Sequence, residues 1–116
     1  MFDFQKLSVY QRAKEFNNLC SKVVERNALD KNIKNQLTRA ALSIVLNIAE
    51  GSGKKTKADR NSFFVISRGS LYECVSILDI LNDAKLIQEE EYTRCYETAN
   101  EISKMLFVMI RNLEKA

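Results

Sequence analysis

Five basic side chains lie close together near the middle of this 116-residue chain. Four of them, Lys54, Lys55, Lys57 and Arg60, are almost consecutive, and Arg68 follows about two helical turns later. Basic side chains on a loop neutralise phosphate groups without reading base sequence. We therefore predict that these five residues bind the phosphate groups of a polyanion, with a merely solvated loop as the alternative interpretation.

A second set of polar residues recurs within an otherwise apolar segment. From residue 39 to residue 50 the polar residues are Arg39, Ser43, Asn47 and Glu50, and they fall on one narrow stripe of a helix. Arg39 and Glu50 are about three turns apart, which is too far for a direct ion pair. We interpret this polar stripe as a structural hydrogen-bonded network that sets helix register. A catalytic role is disfavoured, because one carboxylate without a histidine or a second nearby acid is a poor acid–base pair.

Other residue types that catalysis or metal binding would need are absent or scattered. The sequence has no histidine, and its three cysteines, Cys20, Cys74 and Cys95, are far apart. Residues 51–56 superficially resemble a phosphate-binding P-loop, but Ile48 stands where that motif requires its first glycine. We therefore expect no enzyme, no metal and no cofactor. The cysteines are predicted to be small buried side chains of a cytoplasmic protein, where thiols stay reduced.

The composition indicates that helices carry these residues. The chain has no proline and three glycines, whereas all-β and βαβ folds need many turn residues. Charge is unevenly distributed: residues 1–30 carry a net +1, residues 31–68 carry +6 and residues 69–116 carry −4, which sum to +3. Such a basic middle suggests a polyanion partner or head-to-tail self-association. No apolar run approaches the roughly 20 residues of a membrane span, so no membrane partner is expected.

Apolar periodicity divides the chain into helices that form a single domain, residues 1–116. The predicted helices cover about residues 8–26, 30–50, 57–83 and 89–114. Short connections between antiparallel helices predict an all-α fold, an up-down-up-down four-helix bundle. The third helix is expected to begin its buried stripe with Phe63.

Local signals mark the ends of these helices. Ser8, Asp30 and Thr56 are predicted N-cap residues. Gly51 is expected to end the second helix in a left-handed conformation. Gly69 lies inside the third helix, where we expect it to allow close approach to the second helix.

The second helix is more apolar than a single bundle requires. Leu42, Leu46 and Ala49 lie well outside the face that packs into the bundle, and the polar stripe covers only part of the remainder. On the fourth helix, Phe107 and Val108 point away from the apolar heptad seam. On an isolated chain these side chains would form an exposed hydrophobic patch. We therefore predict that these five residues form an interface between copies of the chain.

Several segments resemble a known bacterial family. Residues 39–51, RAALSIVLNIAEG, are similar to the RAAxSIxxNIAEG signature of a four-helix-bundle family named after proteins encoded in intervening sequences of 23S rRNA genes. Further matches are residues 7–11 with Ala13, residues 69–71 with Glu73, and residues 101–102 before residues 105–106. Relatives in this family include the accessory variability protein of diversity-generating retroelements. The resemblance implies a homopentamer and an association with structured, ribosomal RNA.

Two functions are compatible with these features. The first is a non-catalytic, homo-oligomeric protein that binds structured RNA through the basic segment. The alternative is a scaffold that docks a protein partner and binds no nucleic acid. In that case a group of acidic residues in the last third would matter, namely Glu89, Glu90, Glu91, Glu97 and Glu101.

Overall fold

Four α-helices account for most of the computed structural model, which describes residues 1–115. They are α1 (Ser8–Arg26), α2 (Lys31–Ser52), α3 (Lys57–Asp83) and α4 (Glu89–Glu114), and a short 3₁₀-helix (Asp3–Lys6) precedes them. The described residues contain no β-strand, so the predicted all-α fold with four helices is confirmed. Each α-helix begins and ends within two residues of the position that its sequence pattern indicates.

Side-chain caps begin two of the helices as predicted. The Asp30 carboxylate accepts a hydrogen bond of 3.0 Å from the backbone N–H of Asn32 and caps α2. The Thr56 hydroxyl oxygen accepts one of 3.1 Å from the backbone N–H of Asp59 and caps α3. Each bond satisfies a backbone donor that has no partner inside the helix.

The predicted N-cap of α1 is wrong. Ser8 is the first residue of the helix, and Leu7 takes the N-cap position without a side-chain hydrogen bond. The reason lies in the preceding 3₁₀-helix, which holds Leu7 through a bond from its N–H to the carbonyl of Phe4 (3.1 Å). Leu7 is therefore already extended where α1 starts, and its carbonyl accepts from Gln11.

The helices pack as a bundle around one apolar core. Helix α1 packs beside α2 and α4, and α3 also packs beside α2 and α4, so that α1 lies diagonally opposite α3 and α2 opposite α4. The largest fully buried side chains come from all four helices and include Phe16, Leu37, Ile44, Ile48, Leu71, Leu78, Leu81, Ile102 and Leu106. Their burial removes apolar surface from water, which is the main favourable contribution to folding.

Gly51 does not end α2, contrary to the prediction. The helix continues through it to Ser52, and no glycine among the described residues has a positive φ. A Cβ atom at Gly51 would lie 2.8 Å from the Cβ of Phe63 and 2.8 Å from the ring of Phe64. Glycine is therefore needed here for the close approach of α2 and α3 rather than for a turn.

The buried stripe of α3 begins one residue later than predicted. Phe64 is buried, whereas Phe63 is half-buried beside the start of the helix. Stepping from Phe64 to Ser67, Leu71 and Cys74 keeps the alternating spacing of three and four residues, so Phe64 faces the core.

Gly69 does not lie against α2, which corrects the second glycine prediction. It is exposed, and a Cβ atom built on it would meet no heavy atom within 4 Å. Because Gly69 has no side chain, a groove remains on the surface between α3 and α4.

Candidate functional site

The loop between α2 and α3, together with the first turn of α3, carries four of the basic residues that were predicted to bind RNA. Two of them hold the loop in shape. The guanidinium Nε of Arg60 donates to the carbonyl oxygen of Lys54 at 2.6 Å, and the Lys54 ammonium lies 5.0 Å from the ring centre of Phe63. Both Lys54 and Arg60 are half-buried as a result. Lys54 and Arg60 therefore stabilise the conformation of the loop and are less available to a ligand.

Lys55 and Lys57 differ from these two residues because their side chains are exposed. Neither forms an ion pair within residues 1–115. They flank Thr56, the residue that caps α3, so the start of a helix fixes the backbone between them. Among these four basic residues, Lys55 and Lys57 are therefore the two most accessible to a phosphate group.

Arg68 lies apart from the loop, although the sequence placed it in the same set. It is 11 residues beyond Lys57 on α3, which is about 16 Å along the helix. Its guanidinium carbon lies 5.2 Å from the ring centre of Tyr72 and 5.8 Å from that of Phe107, and it donates to the Tyr72 hydroxyl at 3.0 Å. Arg68 therefore belongs to a surface shared by α3 and α4.

That surface is a groove of about 620 Å³. We call it the α3/α4 groove and define it by six of its lining residues, Val65, Arg68, Gly69, Tyr72, Phe107 and Arg111. Sequence reasoning missed Tyr72 and Arg111. The signal was present, because Arg68–Tyr72 and Phe107–Arg111 are both pairs spaced four residues apart, the spacing at which helical side chains meet.

The polar stripe of α2 is divided between contacts and solvent. The hydroxyls of Ser43 and Ser70 are 2.9 Å apart and join α2 to α3. The Asn47 amide donates to the carbonyl (2.8 Å) and the hydroxyl (3.0 Å) of Ser43. Arg39 and Glu50 are exposed and form no ion pair within the described residues. Only the middle of the stripe therefore connects neighbouring helices within one chain.

The buried stripe of α3 contains one polar residue, Ser67, whose role the sequence analysis did not identify. Ser67 is fully buried, and its hydroxyl donates to the carbonyl oxygen of Ile44 at 2.9 Å. This bond satisfies the one buried polar side chain of the described core and ties α3 to α2.

Most of the predicted interface residues remain in contact with solvent in the single chain. Leu42, Leu46, Phe107 and Val108 are 42–50% exposed, and Ala49 is half-buried. Phe107 lines the α3/α4 groove, whereas Val108 is not among the groove residues.

The three cysteines are brought together in the core. Cys20, Cys74 and Cys95 come from α1, α3 and α4, and each is almost completely buried as a free thiol. Contact with Cys74 and Cys95, together with burial, raises the pKa of the Cys20 thiol well above its usual range. Cys20 therefore stays protonated and is a poor nucleophile.

Two kinds of site have no counterpart in residues 1–115. No three side chains of the types His, Cys, Asp and Glu converge in a way that could hold a metal ion. None of the helices in this part of the chain combines the length and the apolar character that crossing a bilayer requires.

Comparisons with known proteins identify the family. A family model described as 23S rRNA-intervening sequence protein matches residues 5–108. A solved structure of a protein with unknown function from the S23 ribosomal protein family of Bacteroides thetaiotaomicron VPI-5482 has the same fold. It aligns with a TM-score of 0.79 and 22% sequence identity over 88% of this chain and 97% of that chain. No curated protein sequence matches the chain. Since the family model covers most of the sequence, the chain belongs to the 23S rRNA-intervening sequence protein family.

Proposed function

We propose that the protein is a non-catalytic, self-associating helical bundle that binds the phosphate backbone of structured RNA through the α2–α3 loop. The observation that carries this proposal is the exposure of Lys55 in the loop and of Lys57 at the start of α3, where Arg60 holds the loop through the Lys54 carbonyl. A pre-shaped loop loses little conformational entropy when it binds. The +6 charge of residues 31–68 and the family's association with 23S rRNA genes support the same partner.

The topology that we infer, up-down-up-down within a single domain, places this loop at one end of the bundle. Contacts near helix ends support it. Asn27, just after α1, donates to Glu91 near the start of α4 (3.3 Å), and Asn61 near the start of α3 donates to Glu114 at the end of α4 (3.3 Å). These pairs join opposite ends of adjacent helices, as antiparallel packing requires.

Self-association is the second part of the proposal. It is supported by four large apolar side chains that are about half exposed in the single chain, Leu42, Leu46, Phe107 and Val108. In a monomer these side chains would remain in contact with water. The family resemblance favours a homopentamer. In such a ring the basic loops of all copies lie at one height and combine into a band of positive potential. The three free thiols favour the cytoplasm as the compartment.

The RNA proposal is tested with two double variants of equal charge. Lys55→Glu/Lys57→Glu reverses the two exposed charges around the α3 cap, and Lys22→Glu/Lys104→Glu makes the same charge reversal at exposed positions on α1 and α4. Affinity for a folded rRNA fragment is measured at two salt concentrations. We expect the loop variant to lose most of its affinity and its salt dependence, and the control to retain both. Equal loss in the two variants, or no wild-type binding at low salt, would refute the proposal.

The alternative, a protein scaffold using the acidic residues of α4, has less structural support. Part of that charge already has partners within the chain. Glu91 accepts from Asn27 and from the backbone N–H of Gln88 (3.1 Å), and Glu101 forms an ion pair of 3.0 Å with Arg12. A chain that binds no RNA would make this alternative the preferred function.

A further inference from the structure

The α3/α4 groove has the chemistry of a docking site. Its walls are apolar and aromatic, and Gly69 leaves its floor open because nothing lies within 4 Å of a Cβ built there. A second depression of about 260 Å³ continues it along the same helices, with Tyr72 common to both. From Val65 to Ser76 this amounts to about 16 Å of helix.

The cationic groups of the groove have no ion-pair partner among the described residues. Glu114 also lines the groove, but neither Arg68 nor Arg111 pairs with it, and Arg68 donates only to the Tyr72 hydroxyl. The guanidinium groups of Arg68 and Arg111 lie 5.8 and 5.7 Å from the ring centre of Phe107. The Nε atom of Arg68 is buried and has no hydrogen-bond partner among the described residues. A buried donor left without an acceptor is costly, and a carboxylate is the acceptor that a guanidinium binds best. The groove therefore fits an apolar helix face that carries an acidic residue.

The outer face of α2 has these properties. We call it the α2 ridge and define it by Leu42, Leu46, Ala49 and Glu50. Leu42 and Leu46 are 45% and 49% exposed, and the Glu50 carboxylate forms no ion pair within residues 1–115. The spacing of the three apolar residues, four and then three positions, is that of a helix anchored in a groove. The ridge is about 12 Å long, so the groove can hold it.

We propose that the α2 ridge of one copy docks into the α3/α4 groove of a second copy, with Glu50 directed at Arg68 and Arg111. This inference rests on the self-association in the proposed function, and it goes further by naming the two different surfaces that meet. Because ridge and groove are on separate faces, each copy offers one of each, and the contact is head-to-tail. Repetition of such a contact gives a closed ring if the rotation closes. Arg68 then serves assembly rather than RNA binding.

The test uses one variant that breaks the ridge and one that breaks the groove. Leu46→Asp leaves a chain with an intact groove, and Phe107→Asp leaves a chain with an intact ridge. We expect each variant alone to be a monomer of 13.3 kDa by light scattering. When the two variants are mixed, the ridge of the Phe107→Asp chain should dock into the groove of the Leu46→Asp chain and give a 1:1 heterodimer. The heterodimer should not grow further, because its remaining ridge and its remaining groove are both disrupted. Ile80→Asp, at a 63% exposed apolar position of α3 beyond the groove, is the control and should assemble like the wild type.

A charge reversal keeps the proposal testable if either aspartate variant fails to fold. Glu50→Arg is expected to weaken association about tenfold, and adding Arg68→Glu and Arg111→Glu to the same chain is expected to restore it. A monomeric wild type would overturn the docking and the proposed self-association together. Assembly of the wild type without heterodimer formation in the mixture, or without rescue by the triple variant, would overturn the docking alone.

Discussion

Residues of the same charge have different roles in this protein because their surroundings differ. Arg60 braces a loop carbonyl at 2.6 Å, and Arg68 stacks against Tyr72 in a groove, whereas Lys55 and Lys57 reach into solvent. Only the last two have exposed side chains that are free to contact a phosphate. A substitution study of the basic residues should therefore separate Arg60 and Arg68, which have structural contacts, from the two lysines.

The two glycines of the α2–α3 pair give a prediction at the same scale. Gly51→Ala is expected to lower the free energy of unfolding by roughly 1–3 kcal/mol, because its Cβ would lie 2.8 Å from the Cβ of Phe63 and α3 would have to move. Gly69→Ala, in open space on a helix, is expected to raise it by about 1 kcal/mol. Urea denaturation followed by circular dichroism measures both. The Leu46→Asp background removes any contribution from assembly. Effects of the same sign would contradict this account of the glycines.

At the scale of elements, the start of α3 connects stability with the basic loop. The Thr56 hydroxyl caps the helix by accepting from the Asp59 N–H at 3.1 Å, and the two exposed lysines are its chain neighbours. The other end of α3 is closed by the backbone. Lys85 takes a left-handed conformation (φ 57°), and the N–H of Leu86 donates to the carbonyl of Leu81 at 3.0 Å. Helix length is therefore set at one end by a side chain and at the other by the main chain.

Removal of the cap should loosen this end of α3. Thr56→Ala is expected to cost about 1 kcal/mol of stability, because an N–H donor of the first turn loses its acceptor. Hydrogen exchange should show faster exchange of the Asp59 amide than in the wild type. Thr56→Ser keeps a hydroxyl acceptor and should behave like the wild type. Identical exchange in the alanine and serine variants would show that the cap contributes nothing.

At the scale of the whole molecule, charge is unevenly distributed along the chain. The bundle measures about 46 × 27 × 22 Å, and its basic middle segment contrasts with a net −4 in residues 69–116. Assembly is expected to depend on the apolar ridge and groove, while RNA binding is expected to depend on exposed charge. These two interactions respond differently to salt, because screening weakens charge–charge contacts and leaves apolar burial intact.

Raising the salt concentration should therefore separate the two activities. Between roughly 50 and 200 mM salt, affinity for RNA is expected to fall on the order of a hundredfold if about four phosphates are neutralised. Light scattering over the same range should show an unchanged particle mass. Parallel loss of assembly and RNA binding would indicate that charge holds the copies together. RNA affinity that is insensitive to salt would argue against phosphate contacts.

The sequence by itself determined the four helices and the apolar excess of α2. It could do so because periodicity and capping act over a few residues, as the Asp30 and Thr56 caps illustrate. The RAALSIVLNIAEG segment indicated the family, and the family model that matches residues 5–108 confirms it.

Only the tertiary structure decided what lies between helices. It assigned Gly51 to a close contact rather than a turn, left Gly69 open, separated Arg68 from the other basic residues by placing it in a groove, and brought three distant cysteines together. The physical reason is that these features depend on the distance and rotation of one helix relative to another. Side chains far apart in the chain set that geometry jointly, and no pattern within a single helix records it.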